Sequence, residues 1–491
     1  MTSFPGGGMR EWEVVLLAMQ TVVCFLPRRS SKLLRTVCWL LPVPLAIHLA
    51  VEGGRWQMGP AYLFVLWAVL DAALGKSKPP VLSSRRHRRA GWVFVIVFLL
   101  ASWMLPYLLP VPQLEVPPGP YPVGTVIYHW VDRSRMEQTP GKTNPYREIN
   151  VQLWYPARAS QAKKQADYIP ELPELSRYAQ QRWHLPSTLL SYLNLAKTFT
   201  YEDADLPEGT REYPVIVLSH GWPGLRFAYH YLETGLASRG YVVAAVEHTY
   251  GTPAAVFPDG RVEAMGASPP EFNLPAWDEI IDNVWSKDDS FVLDQLGKLN
   301  AGASGGRFRH RLNLEQAGVI GHSFGGDNAL AALRQDKRFK AGISLDGSFY
   351  GDGAKPLSAD QSFLWMCTDA YLKGLGLPKP NNRQLADEGI SRSDYERWVE
   401  KFGRRRDEAM AEGGQTLLVR DARHSSFSDS YLFTPILQWR AKAPGSQKIH
   451  RTVLSYVSAF MDEHLTNKTP GGLEREARQD NRVLLIPRPH P

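Results

Sequence analysis

Ser323 lies in Gly321-His322-Ser323-Phe324-Gly325, a G-x-S-x-G pattern. Such a pattern puts a serine on a sharp strand-to-helix turn, where small neighbours avoid clashes. A serine hydroxyl is a poor nucleophile at neutral pH. It needs a base to take its proton and an acid to orient that base. The chemistry such a trio performs is acyl transfer. Candidates for both partners follow in the chain. Asp346 comes directly after the apolar run 342–345, in Leu345-Asp346-Gly347, and Asp369 ends the next apolar run as a rival acid. His424, in Asp421-Ala422-Arg423-His424-Ser425-Ser426-Phe427, is the candidate base, because His450 and His464 fall at or within a closing helix. The charge on an attacked carbonyl needs backbone N–H donors. Phe324, just after the nucleophile, offers one. Trp222, in Ser219-His220-Gly221-Trp222-Pro223-Gly224, offers the other, since Pro223 has no N–H. His220 and His322 read as packing or hydrogen-bonding residues, and His248 borders a strand end with no role that the sequence assigns.

These residues need a scaffold that brings distant loops together. Ala317, Gly318, Val319 and Ile320 run into the serine as a buried parallel strand should, and a helix-compatible run starts at Asp327. Buried apolar strands also read at 213–221, 241–248, 339–347, 362–370 and 415–424. Helical patterns occupy 226–239, 275–300, 383–411 and 449–465. Alternating strands and helices specify a mostly parallel sheet covered on both faces, with ligands at the carboxyl ends of the strands. Two alternating stretches, 125–132 and 147–156, predict an antiparallel pair at the sheet edge, and Asp259-Gly260 predicts a small hairpin. The chain order serine, acid, histidine is that of the α/β-hydrolases. The fold class is therefore α/β, a doubly wound, mostly parallel α/β-hydrolase sheet.

The first 111 residues differ in kind. They hold 12 Lys/Arg and 4 Asp/Glu, a local charge of +8, whereas the remainder is near neutral at −1. The basic balance thus gives no case for nucleic acid. Four apolar stretches, near 10–27, 33–51, 60–75 and 90–111, predict an all-α transmembrane bundle, with the fourth the best candidate at about 20 residues and the first the weakest. Arg28, Arg29 and Lys32 lie between the first two stretches, and six Lys/Arg from Lys76 to Arg89 lie between the last two. Positive loops stay in the cytoplasm, so the region after residue 111 is expected outside the cell. The basic run at 83–89 reads as one of these loops. The expected domains are 1–111 transmembrane, 112–465 hydrolase with an insert or lid at 158–210, and 466–491 a flexible tail. Cys24, Cys38 and Cys367 form no disulfide framework.

Ser219-His220-Gly221, Val246-Glu247-His248, the elbow from Gly321 to Gly326 and Leu345-Asp346 resemble the platelet-activating-factor acetylhydrolase family, plasma and type II. The stretches 119–125 and 151–157 share the resemblance, which spans about 115–430 with 158–210 poorly matched. It implies Ser323, Asp346 and His424 as nucleophile, acid and base, and Trp222 and Phe324 as the oxyanion hole. It implies calcium-independent hydrolysis of short or oxidised acyl esters of phospholipids. The segment after His424 matches loosely, and the best-known members lack the membrane bundle. A general carboxylesterase or polyester (cutinase-like) hydrolase is the alternative, and a membrane sensor with an inactive hydrolase domain a third reading. The proposed chemistry requires no metal or cofactor. The sequence carries no H-E-x-x-H, no cysteine-pair metal site, no P-loop and no dinucleotide fingerprint.

Overall fold

The computed structural model describes residues 8–26, 31–74, 85–158, 164–303, 306–351, 355–443, 445–466, 468 and 470–486. They form two compact units. One comprises 115–166, 198–430 and 441–491, the other 1–114, 167–197 and 431–440.

The first of these units is built on strands β1 (Val123–Met136), β2 (Tyr146–Pro156), β3 (Thr200–Glu202), β4 (Tyr213–Ser219), β5 (Val242–Glu247), β6 (Ala254–Val256), β7 (Val262–Ala264), β8 (Leu312–His322), β9 (Phe339–Leu345), β10 (Ser362–Cys367), β11 (Gln415–Val419) and β12 (Val483–Ile486). Ten of them make one sheet in the order β12-β11-β10-β9-β8-β4-β5-β2-β1-β3, while β6 and β7 pair as a separate hairpin. The six strands from β11 to β5 run parallel. β2 is antiparallel to both β5 and β1, and β12 is antiparallel to β11. This is the α/β-hydrolase fold with a mixed, mostly parallel sheet.

The sequence pattern explains why the sheet has two buried faces. Val215 and Val217 of β4 join Val242, Ala244 and Val246 of β5 in one apolar cluster. Their neighbours Ile216, Leu218, Val243 and Ala245 enter a second cluster on the opposite face. Successive strand residues point to opposite faces, so a strand covered on both sides must be apolar throughout.

Two expectations change in this unit. The stretch after residue 466, expected as a flexible tail, contains helix Gly472–Gln479 and strand β12. Leu473 and Val483 are buried, and Val483 through Ile486 pair with Val419 through Thr416. A polar composition concealed a one-sided helix and four strand-forming residues. The insert 158–210 is also divided: β3 pairs with β1 in this unit, whereas helix Leu172–Trp183 and the turn Ser191–Leu195 belong to the other.

The second unit is helical. Lys32–Glu52, Trp56–Leu74 and Gly91–Leu108 are long and apolar enough to cross a membrane. Among the described residues the first expected span is not. Helix Glu11–Phe25 has 15 residues, about 22 Å at 1.5 Å per residue against a hydrocarbon core of about 30 Å. Its Glu13 is ion-paired to Arg10 and Arg55, each at 2.7 Å. Leu16, Leu17, Leu41, Phe64 and Val65 form the core of this unit. Gln20 donates to Ser102 and Trp103 to Thr21 across it, as polar residues do between apolar helices. Arg28, Arg29, Lys76 and Lys78, on which the inside-outside expectation draws, lie outside the described residues.

Candidate active site

The site begins with a strained backbone. Ser323 has φ of +56°, in a region that non-glycine residues rarely occupy. It sits between β8 and helix Phe324–Gln335. The turn is so tight that a Cβ at Gly321 would lie 1.8 Å from the Gly325 carbonyl oxygen, and one at Gly325 would lie 2.3 Å from that of Ser219. The two elbow glycines are thus demanded by backbone contacts on either side of the serine.

The structure brings the three candidate residues together. His424 Nε2 lies 2.9 Å from Ser323 Oγ. His424 Nδ1 lies 2.9 Å from Asp346 Oδ2. The carboxylate accepts only, so Nδ1 carries the proton and Nε2 is left to accept from the serine. Asp346 is fully buried at the end of β9. The Thr368 backbone N–H donates to its Oδ1 at 2.7 Å and the Thr368 hydroxyl to its Oδ2 at 3.2 Å. The rival Asp369 is exposed and lies 3.7 Å from Lys373.

His322 links the loops that carry these groups. Its Nε2 donates to the His424 carbonyl oxygen at 3.0 Å. Its Nδ1 is then an acceptor and receives the Tyr229 hydroxyl at 3.1 Å, which in turn accepts the Gly221 N–H at 3.1 Å. Burial and the nearby His424 hold the His322 pKa well below the usual imidazole value, so it is neutral. His322 is a hydrogen-bonding residue, as the sequence suggested.

The backbone at the two expected oxyanion donors is fixed locally. Phe324 opens its helix, so its N–H has no intrahelical partner. Trp222 is set by His220. The His248 N–H donates to His220 Nε2 at 3.2 Å, which fixes the proton on Nδ1, and Nδ1 donates to the Gly221 carbonyl at 2.7 Å. In a planar trans peptide C=O and N–H point oppositely, so the Trp222 N–H points away from the His220 ring that holds the Gly221 oxygen. A Cβ on Gly221 would meet Ser323 Cβ at 3.1 Å.

Behind this loop lies a polar network that the sequence did not reveal. His248 Nδ1 donates to Asp288 at 2.9 Å, and its Nε2 lies 3.0 Å from the Ser219 hydroxyl. Ser219 also bonds Asp289, and Asn328 donates to both at 3.1 and 2.7 Å. Arg147 and Arg135 both reach Asp288. Burial opposes the Asp288 charge, but the two arginines outweigh it and hold its pKa far below the carboxylate range. Burial pushes neighbouring Asp289 well above that range. A π-turn at Ile281–Trp285 brings the Trp285 ring flat against His248, 4.0 Å between centroids. Trp222, Trp277, Trp285 and Phe324 pack edge to face or tilted at 5.0–5.9 Å, an apolar wall beside the serine. A cavity of about 580 Å³ at the β1 edge, lined by Tyr128, Asp203, Arg307 and Arg311 among others, includes none of the triad.

Comparison with known proteins agrees with this fold. The family model described as "Platelet-activating factor acetylhydrolase, isoform II" matches residues 111–257 and 297–375. A solved ferulic acid esterase from Streptomyces cinnamoneus superposes with a TM-score of 0.57 at 27% identity, covering 77% of this chain and 100% of that one. The platelet-activating factor acetylhydrolase of Canis lupus familiaris is 29% identical over 221 residues, 40% of this chain and 49% of the dog protein. A probable 1-alkyl-2-acetylglycerophosphocholine esterase of Arthroderma benhamiae is 31% identical over 142 residues, 28% of this chain and 32% of the fungal protein. The chain thus spans half or less of the length of these curated relatives. Its fold and these matches place it in the α/β-hydrolase superfamily. Within that class it is related to platelet-activating-factor acetylhydrolases and to other esterases, and it carries N-terminal helices of membrane-spanning character.

Proposed function

We propose that this chain is a membrane-anchored serine carboxylesterase in which Ser323 is the nucleophile, His424 the general base and Asp346 the orienting acid. The observation that carries this is the pair of 2.9 Å contacts made by the two nitrogens of one imidazole, to Ser323 and to Asp346. His424 takes the Ser323 proton as Oγ attacks the ester carbonyl. The Trp222 and Phe324 N–H groups hold the oxyanion, each worth roughly 100–1,000-fold in rate. Asp346 stabilises the imidazolium, the alcohol leaves with the proton, and water hydrolyses the acyl-enzyme. The hydrolase region 112–465, completed by the strand near the C-terminus, is the catalytic domain. It lies outside the membrane if the basic loops are cytoplasmic.

A fluorophosphonate probe should label the full chain and fail to label Ser323→Ala. A folded wild type that stays unlabelled would favour the inactive membrane sensor. The broad ester reading draws on the likeness to a ferulic acid esterase along that protein's whole length. A narrower reading is release of short or oxidised acyl groups from phospholipids, favoured by the family-model match and by helices that keep the enzyme at a bilayer. Comparing a short-chain phosphatidylcholine with p-nitrophenyl butyrate decides between the two. A kcat/KM at least tenfold higher on the phospholipid selects the lipid enzyme. Protease added to intact cells should reach residues beyond 111, and full protection would reverse the orientation.

A further inference from the structure

Tyr371 is a fourth side chain in the catalytic centre. It stands in helix Asp369–Gly374, just after β10. Its ring stacks on the His424 imidazole, with centroids 4.7 Å apart and the planes 1° from parallel. Its hydroxyl is 3.4 Å from His424 Nε2, the same nitrogen that Ser323 Oγ approaches at 2.9 Å. The ring's place is built into the backbone. Gly376 has φ of +65°, and a Cβ there would fall 2.1 Å from Tyr371 Cζ. The Leu375 N–H bonds back to the Tyr371 carbonyl at 2.7 Å, closing the turn beneath the ring.

The position matters because one nitrogen serves two oxygens in turn. His424 Nε2 takes a proton from Ser323 Oγ and must then deliver it to the departing ester oxygen, so that oxygen has to pass close to both atoms. A hydroxyl 3.4 Å from that nitrogen borders the same path. We propose that Tyr371 is a catalytic residue that donates a hydrogen bond from its hydroxyl to the leaving-group oxygen while the tetrahedral intermediate collapses. The inference rests on the triad reading above. In acylation an Oγ lone pair forms the bond to the carbonyl carbon, the π pair moves to the carbonyl oxygen, and the Oγ proton goes to Nε2. On collapse the oxygen pair re-forms C=O. The bond to the leaving oxygen breaks with its pair on that oxygen, and the Nε2 proton follows, giving the free alcohol. Tyr371 keeps its own proton throughout. Burial, with the Asp346 carboxylate, pushes its phenol well above the usual value, so it is a neutral donor at any working pH.

A leaving-group donor matters most where the leaving oxygen is basic. An alkoxide needs it and a nitrophenolate does not. The test is kcat/KM, which reports acylation, for ethyl acetate and p-nitrophenyl acetate with the full chain in detergent, wild type and Tyr371→Phe. The ethyl-to-nitrophenyl ratio should fall about 10–100-fold in the variant, the range for a hydrogen bond to a developing charge. An equal loss on both esters means that the hydroxyl acts on the oxyanion or on His424 orientation and overturns the proposal, as does no loss on either. Replacing Tyr371 by 3,5-difluorotyrosine keeps the ring in place and strengthens the donor. It should raise the ratio, and it serves if Tyr371→Phe does not fold. Fluorophosphonate labelling separates the two readings. Labelled Ser323 with an unmoved ratio sinks the role of Tyr371 alone, whereas an unlabelled folded wild type sinks the triad reading and Tyr371 with it.

Discussion

Asp346 rather than Asp369 meets His424 because of strand order. Asp346 ends β9, beside the nucleophile strand, and its two oxygens are held by the Thr368 N–H and hydroxyl from the end of β10. Thr368 therefore orients the acid that orients the base. Asp346→Asn should lower kcat by roughly 10³–10⁴-fold with little effect on KM, because an amide can hold the wrong imidazole tautomer. Thr368→Val removes one hydrogen bond, about 1 kcal/mol, and should cost only about fivefold. Steady-state kinetics on p-nitrophenyl butyrate reads both, and a larger loss in Thr368→Val than in Asp346→Asn would contradict the assigned order of roles. Ser323, Asp346 and His424 could be picked from the sequence as side chains that meet because motif, strand ends and chain order constrain one another. Tyr371 had no such constraint. It follows β10 in a short helix, and only the glycine turn at 376 brings its ring back onto the imidazole.

The elements around the site depend on charges that no periodicity discloses. The loop just after β5 contributes His248, the helix Ser286–Asn300 contributes Asp288 and Asp289, and β2 contributes Arg147. These positions are far apart in sequence and meet only once the sheet has formed. Asp288 is fully buried with two arginines on it. Asp288→Asn removes the carboxylate that both arginines share, while Asp132 and Glu137 still pair with Arg135 and Arg147, and should destabilise the fold by about 1.5–3 kcal/mol, the usual worth of hydrogen bonds to a charged group. Chemical denaturation reads this, and a loss below about 1 kcal/mol would mean that water already solvates the pair. The last strand makes a second case. β12 covers the edge of β11, and the Arg420 N–H donates to the Arg482 carbonyl at 2.8 Å. β11 leads into the loop that carries His424, so a chain ending at Thr466 exposes an apolar edge next to the base. It should melt at least 5 °C lower and lose most of its esterase activity, and an unchanged melting temperature would show that β11 holds its place alone.

Taken whole, the hydrolase unit buries an unusual set of uncharged imidazoles. Burial lowers the pKa of His220 to about 3 and those of His230 and His450 to about 4, and it also lowers His248 and His322. An unfolded histidine titrates near 6.5, so below that pH the unfolded chain takes up protons that the folded one refuses. The stability from each neutral histidine is therefore complete above about pH 6.5 and is lost as pH falls toward its folded value, by about 1.4 kcal/mol per pH unit. Glu233, Asp289 and Asp327 act in the opposite sense, because burial raises their pKa and their folded forms hold protons that the unfolded chain releases. More histidines than carboxyls are involved, so the net effect is acid weakening. His450 isolates one contribution. Its ring stacks on Tyr231 at 3.9 Å and its Nε2 donates to the Ser428 carbonyl at 3.1 Å, with no part in the triad. His450→Gln should be less stable than wild type at pH 7.5. The gap should narrow by about 1.4 kcal/mol per unit between pH 6 and pH 5, because only wild type still resists that proton. Denaturant midpoints measured across this range decide the matter. A constant gap would mean that the His450 imidazole charges in the folded state as readily as in water, and that its burial does not govern its proton.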